Sequence, residues 1–390
     1  NDDLIIQNYR LGQITTELKR QQKDAVLVVD PVNLRYATGT RNMQVWTMHN
    51  ISRYALITAD ANIIMFELPT GRHLCESIQT ISDIRSSIPF DYFLVGYRAE
   101  EMATRWAAQI LDVLSQYGCD LGQLAIDRAD ILMINSLRER HCQVIDGKSI
   151  LEHARAIKSA HEIAAFRRSL KTCEDSVRFL HEYAVPGTKE CEAFGHLLAQ
   201  SIARGGEYPE TRLLSSGPRT NPWFQEASDR QMQNGELLSF DTDLIGPMGF
   251  YNDISRSWVI GDRQFTPNQA TLFDLSKAQL DHNISMLEPG MQFVEYASLA
   301  YQLPDSYLSN RYADIAHGCG LGVEYPFILY PEDAEAGMYD GVFKANMIVC
   351  VESYVGELHG SQGVKLEQPV LLTENGPEVL CQLPLDARDF

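Results

Sequence analysis

No part of this chain is apolar enough to cross a bilayer: its longest unbroken aliphatic run is AVLVV at 25–29, against the ~20 residues a membrane-spanning helix needs. A membrane partner is therefore not expected. No apolar segment preceded by basic residues reads as a signal peptide, so the expected location is the cytoplasm. Basic residues are few beside acidic ones, 33 Lys and Arg against 52 Asp and Glu, for a formal net charge of −19. A nucleic-acid surface needs the opposite balance, which excludes nucleic acid as a partner. Paired cysteines are missing as well. Eight are scattered singly, with no CxxC spacing, which argues against a structural zinc knuckle and, at this length, against a secreted disulfide framework. They read as reduced, small buried hydrophobes. Low-complexity tracts and internal repeats are absent. What remains is a globular composition, 45% apolar and 22% charged over 390 residues, too long for one ordinary core and so suggestive of two domains.

The first 150 residues alternate strand-like and helix-like segments. Residues 25–30 (AVLVVD) form a short buried strand ending at Asp30-Pro31. Residues 54–59 and 62–68 form two strands about an Asp60-Ala61 turn, and 124–126 forms another. Residues 100–117 carry Met102, Trp106, Ile110, Val113 and Leu114 at helical spacing. This is an α/β pattern. Helices follow at 150–169, 170–183 and 190–204, the last stopped by Gly205-Gly206. Beyond them lie short strands at 237–243, 257–260, 347–352 and 370–372, interrupted by one helix near 269–286. The second part is thus α+β, and the expected domains are 1–150 and 151–390.

That second part holds acidic residues inside apolar strand contexts. Asp241 and Asp243 lie in LSFDTDLI, where alternation places both on one face while Leu238 and Phe240 turn to the core. Asp253 follows a Gly246-Pro247-Met248-Gly249 turn, so a hairpin would return it beside them. Glu352 ends the apolar strand 347–352, and Glu367 lies just before the next strand. Several buried carboxylates cannot all stay ionised without cations. Two divalent metals would meet that need, and oxygen ligands with one imidazole suit manganese, iron, cobalt or zinc. The imidazole candidate is His317 in His-Gly-Cys-Gly-Leu, whose glycines let backbone approach a crowded site.

At these residues the sequence resembles the pita-bread metallopeptidase superfamily, which includes prolidase, aminopeptidase P, methionine aminopeptidase and creatinase. DPVNLRYATG at 30–39 is similar to the creatinase-type N-terminal domain, and AIKSAHEI at 156–163 to the helix entering the catalytic domain. DISR at 253–256, HGCG at 317–320, Glu352 and GVKLE at 363–367 match the metal-ligand motifs in order. The resemblance implies a pita-bread catalytic domain and a homodimer. It also implies a centre of two divalent transition ions, iron first, with manganese, zinc or cobalt as alternatives. Asp241 or Asp243 (or both), Asp253, His317, Glu352 and Glu367 would hold them.

Two departures matter. Peptidases of this superfamily place a substrate-handling His where Trp223 stands, and a second where this chain reads Gly322-Val323-Glu324-Tyr325-Pro326. The proton-handling histidines of peptide hydrolysis are therefore lost. An aromatic ring instead suits a cationic group without protons, such as a sulfonium. Within the superfamily the chain resembles the dimethylsulfoniopropionate lyase branch, which shares Asp-Thr-Asp before the second metal Asp and a Tyr five residues before the His ligand, here Tyr312. The segments 42–50 and 211–226 are similar to that branch too. The implied reaction is β-elimination from a small zwitterion, releasing dimethyl sulfide and acrylate. Trp223 and Trp46 would cradle the sulfonium. The lyases' proposed base, an Asp six residues after the His ligand, is Val323 here, which leaves Tyr312, a metal ligand or a metal-bound hydroxide for the role. The alternative is hydrolysis of a C–N bond in a small zwitterion by an ectoine-hydrolase-like or Xaa-Pro-dipeptidase-like enzyme.

Overall fold

The apolar run at 25–29 becomes an inner strand. The computed structural model describes residues 2–335 and 337–390, and the chain divides into two units, one ending at Arg155 and one running Ala156–Phe390. The first unit carries β1 (Ala25–Val28), β2 (Tyr54–Thr58), β3 (Ile63–Glu67), β4 (Asp83–Ser86), β5 (Gln123–Ile126) and β6 (Gln143–Asp146) in one sheet of order β4-β3-β2-β1-β5-β6. β1 pairs antiparallel with β2 and parallel with β5, so the sheet is mixed. The helix Ala99–Gln116 buries Trp106, Ile110, Val113 and Leu114, the stripe its spacing predicted, against this sheet's core. Asp30-Pro31 does more than end a strand. Asp30 accepts from the Val32 and Asn33 amides and starts a helix, Pro31–Thr38, that the strand pattern hid. Trp46 belongs to this unit, in the helix Gln44–His49, edge-on to Phe93 at 6.0 Å.

The division between the units falls at a helix break. The expected helix over 150–169 is two helices, Lys148–Ala156 and Ala160–Tyr183, because the Ser159 hydroxyl accepts from the Glu162 amide while the Glu162 carboxylate accepts from the Ser159 amide. That capping box starts a new helix and carries it through the expected junction at 169/170. The second unit then adds β7 (Leu214–Ser216), β8 (Leu237–Asp241), β9 (Leu244–Ile245), β10 (Tyr251–Asn252), β11 (Ser255–Val259), β12 (Asp314–Cys319), β13 (Val323–Leu329), β14 (Ile348–Gly356), β15 (Gly363–Thr373) and β16 (Gly376–Val379). A five-stranded antiparallel sheet runs β13-β12-β14-β15-β16, and a three-stranded one β11-β8-β7. The helix Pro267–Ser285 packs on β14 and β15 and buries Leu272, Phe273 and Leu280. The α+β expectation for this unit holds. Two strands are longer than their apolar runs. β14 continues past Glu352 to Gly356, and β15 starts at Gly363, so both glutamates are interior to strands and face each other across the ladder.

Candidate metal centre

β8 and β11 are paired so that Asp241 lies opposite Ser255. Between them the chain makes a small hairpin, β9 against β10, which returns Asp253 toward Asp241 as the turn sequence predicted. Strict strand alternation does not carry Asp243 to the site, however. β8 stops at Asp241, and Asp243 sits at φ 42°, a left-handed conformation that Asp tolerates better than most residues. Buried Thr242 holds this kink, donating to the Asn252 carbonyl at 2.8 Å and accepting from the Ile254 amide at 2.9 Å. The kink still leaves Asp241, Asp243 and Asp253 with oxygens within 4.8 Å of one another.

β12 brings His317 to the same place. Its Nε2 lies 3.5 Å from Asp253, 3.6 Å from Glu352 and 3.6 Å from Glu367, while Nδ1 lies 3.0 Å from the Gly318 carbonyl. The ladder to β13 shifts register between His317 and Gly318, and a Cβ at Gly318 would meet the Glu324 and Tyr325 carbonyls. The expectation that glycine permits a close backbone approach is met here. All six candidate ligands are therefore brought together and buried.

The donor set fits metal ions. Asp241 Oδ1, Asp253 Oδ1 and Glu367 Oε1 are buried without a hydrogen-bond partner among the described residues, a costly arrangement unless a cation meets them. Asp243 differs, since Thr211 and Tyr251 donate hydroxyls to its two oxygens. Burial and Asp241 push the Asp243 carboxyl up to about 8, and burial with Asp241 and Glu352 pushes Glu367 up to about 7. Burial works against the Asp241 carboxylate too, but Lys365 and neighbouring donors hold it down at about 2.

The stability consequence has a definite sign. Asp243 and Glu367 keep protons in the folded, metal-free chain over a range where the unfolded chain, with carboxyls near ~4, has lost them. The metal-free protein should therefore lose stability as pH rises from about 4 to about 8. Metal binding should release protons and tighten over the upper part of that range. Thermal melts of the chelated protein between pH 5 and 8, with titration calorimetry in two buffers, read both effects. A stability that stays level or rises over that window would contradict the protonated cluster.

Lys365 was not foreseen, although alternation along GVKLE puts it on the face of Glu367. It is fully buried and lies 3.1 Å from Asp241 and 3.2 Å from Glu367, and it also pairs with Glu352. Burial alone would discharge it, but these carboxylates together raise its pKa well above the ordinary lysine value. Its Nζ is 5.7 Å from the Trp223 ring centroid and 5.2 Å from that of Tyr312. The structure thus gathers Trp223 and Tyr312 beside the carboxylates. Trp223 packs on Tyr354 at 5.7 Å with its indole Nε1 buried and unpartnered among the described residues. Burial, then Glu352, raises the Tyr312 hydroxyl, so it is a phenol near neutrality. Trp46 is in the other unit. Val323, at the position of the lyases' base, is 43% exposed. Glu324 beside it is buried in an ion pair with Lys158 and does not stand in for that base.

A two-unit chain with an imidazole and five carboxylates converging in the second unit's sheets is a metal-dependent enzyme. The model of metallopeptidase family M24 matches residues 164–374, and that of the creatinase/prolidase N-terminal domain matches residues 10–157. The dimethylsulfoniopropionate lyase DddP of Roseovarius nubinhibens is 35% identical over 98% of this chain and 86% of its own length. Its namesake from Roseobacter denitrificans is 34% identical over the same shares. Among solved structures, an Xaa-Pro dipeptidase from Bacillus anthracis superposes with a TM-score of 0.78 at 17% identity, over 96% of this chain and 97% of that one. The prolidase of Pyrococcus horikoshii gives 0.74 at 19%, over 96% and 98%. The chain belongs to metallopeptidase family M24, in the branch of the DddP lyases, and its fold is the pita-bread fold with a creatinase-type N-terminal domain.

Proposed function

We propose that this chain is a metal-dependent lyase that cleaves dimethylsulfoniopropionate into dimethyl sulfide and acrylate. The observation that carries the reading is the pairing of six candidate ligands with an aromatic residue, Trp223, where the peptidases have histidine, in a chain about one-third identical to two proteins named for that activity. The substrate loses a proton from the carbon next to its carboxylate. That C–H electron pair becomes the C=C bond, and the C–S pair leaves on sulfur as neutral dimethyl sulfide. Asp241, Asp243, Asp253, His317, Glu352 and Glu367 are the proposed ligands of two divalent ions, with iron proposed and manganese, zinc or cobalt as alternatives. Bound there, the ions supply charge to hold the substrate carboxylate and stabilise the negative charge that develops as the proton leaves.

The chain's own residues do the rest. The Trp223 and Tyr312 rings lie around a buried cation already, since Lys365 is within 6 Å of both centroids. Such a lining accepts a desolvated sulfonium. Tyr312 is the proposed proton-handling residue; burial and Glu352 keep its hydroxyl protonated, and Lys365 is the neighbour that pulls toward ionisation. Trp46 is a second proposed aromatic contact, resting on the sequence resemblance alone. Product analysis over a panel of sulfonium, betaine and dipeptide substrates tests the reading. Dimethyl sulfide in the headspace supports it, and a new primary amine without dimethyl sulfide replaces it with a hydrolase.

A cytoplasmic homodimer is part of the same proposal. None of the eight cysteines is in a disulfide, as suits a reducing compartment, and among the described residues no helix is long and apolar enough to cross a membrane. The first unit exposes Met43, Val45, Tyr92, Phe93 and Tyr97, apolar surface of the kind a second copy would cover. Sedimentation at micromolar concentration should give about twice 44 kDa, and a stable, active monomer would remove the dimer.

A further inference from the structure

The carboxylate cluster already contains a cation. The Lys365 ammonium lies between Asp241, Glu352 and Glu367 and donates to Ser255 Oγ at 2.8 Å, with its side chain wholly removed from solvent. These same three carboxylates form one group whose oxygens lie within 4.8 Å of each other. Asp253, His317 and Glu367 belong to a second such group, built around the imidazole. The two groups share Glu367 but differ in what they hold, for Lys365 is paired with every member of the first.

We propose that Lys365 makes the two metal positions unequal. An ion entering among Asp253, His317 and Glu367 finds an imidazole and unpartnered carboxylate oxygens. A second ion bound through Asp241, whether with Asp243 and Asp253 or with Glu352 and Glu367, shares that carboxylate with an ammonium. Two positive charges a few ångströms apart in a water-poor site repel strongly, so the second ion binds only as Lys365 gives way. Lys365 is then a positioning residue that sets the order and strength of metal loading. The inference rests on the ligand set proposed above and does not depend on which substrate is cleaved.

The experiment titrates Mn²⁺ into the chelator-stripped full-length chain by calorimetry, with elemental analysis of the product. The wild type should take one ion per chain tightly and a second at least about 30-fold more weakly. Lys365→Met should close that gap to within about threefold by tightening the second ion. Lys365→Arg, which keeps the charge, should preserve it. If Lys365→Met folds only with metal present, ions retained after dialysis against limiting chelator report the same quantity, two per chain in the variant against one in the wild type. Equal sites in the wild type, an unchanged gap in Lys365→Met, or a lost gap in Lys365→Arg overturns the inference while leaving the ligand assignment standing. Failure of every form to bind Mn²⁺ overturns both.

Discussion

Replacing His317 by alanine should leave the protein folded and strip it of most of its metal, with kcat/KM lower by at least about a thousandfold, or roughly 4 kcal/mol. The imidazole is the only nitrogen ligand among the six candidates and touches three of the other five. Its removal withdraws a donor from the group that also contains Asp253 and Glu367. The ring packs nearly parallel to Phe327 at 6.2 Å, so the truncation also leaves a small cavity. Far-ultraviolet circular dichroism and melting temperature separate that packing loss from metal loss. Elemental analysis decides the matter, because metal content equal to wild type in a folded variant removes His317 from the ligand set.

Trp223→Ala should lower the specificity constant for the zwitterion by tenfold to a few hundredfold, while Trp223→Phe keeps most of it. A cation facing an aromatic ring gains ~0.5–2 kcal/mol, and loss of the buried indole adds the area it shielded. Trp223 is only 6% exposed and packs on Tyr354, so the alanine variant also loses stability, by about 3–5 kcal/mol if the cavity stays open. Kinetics must therefore be normalised to folded protein. Trp223→His should not create appreciable peptidase activity, since the second histidine of the peptidases is missing from 322–326. Equal specificity constants for the alanine variant and wild type would make Trp223 structural and reopen the peptidase reading.

The order of the ligand motifs was readable from the chain because each lies in a short segment whose carboxylate or imidazole interrupts an apolar run. The hairpin that returns Asp253 was readable from its Gly-Pro-Met-Gly turn. Three features were not. Alternation put Asp243 on the face of Asp241, but the backbone kinks there, and hydroxyls from Thr211 and Tyr251 orient its carboxylate. Thr211 is 32 residues away in sequence, beyond the reach of local pattern. The lengths of β14 and β15 were understated because a buried site puts Glu352, Lys365 and Glu367 inside strands, where polarity looks like a strand end. The partner of Glu324 was not readable either, since Lys158 lies 166 residues away and only folding brings the two together. Lys365 could have been found, since two-residue alternation places it beside Glu367, and a lysine there matters once the carboxylates are known to be buried.

The central claim is elimination at a metal centre, and the most direct measurement is proton NMR of the products from dimethylsulfoniopropionate with metal-loaded and chelated protein. The account predicts acrylate vinyl signals growing in equal amount to dimethyl sulfide, lost on chelation and restored by added metal. Release of 3-hydroxypropionate in place of acrylate, or turnover undiminished in the chelated protein, would contradict it.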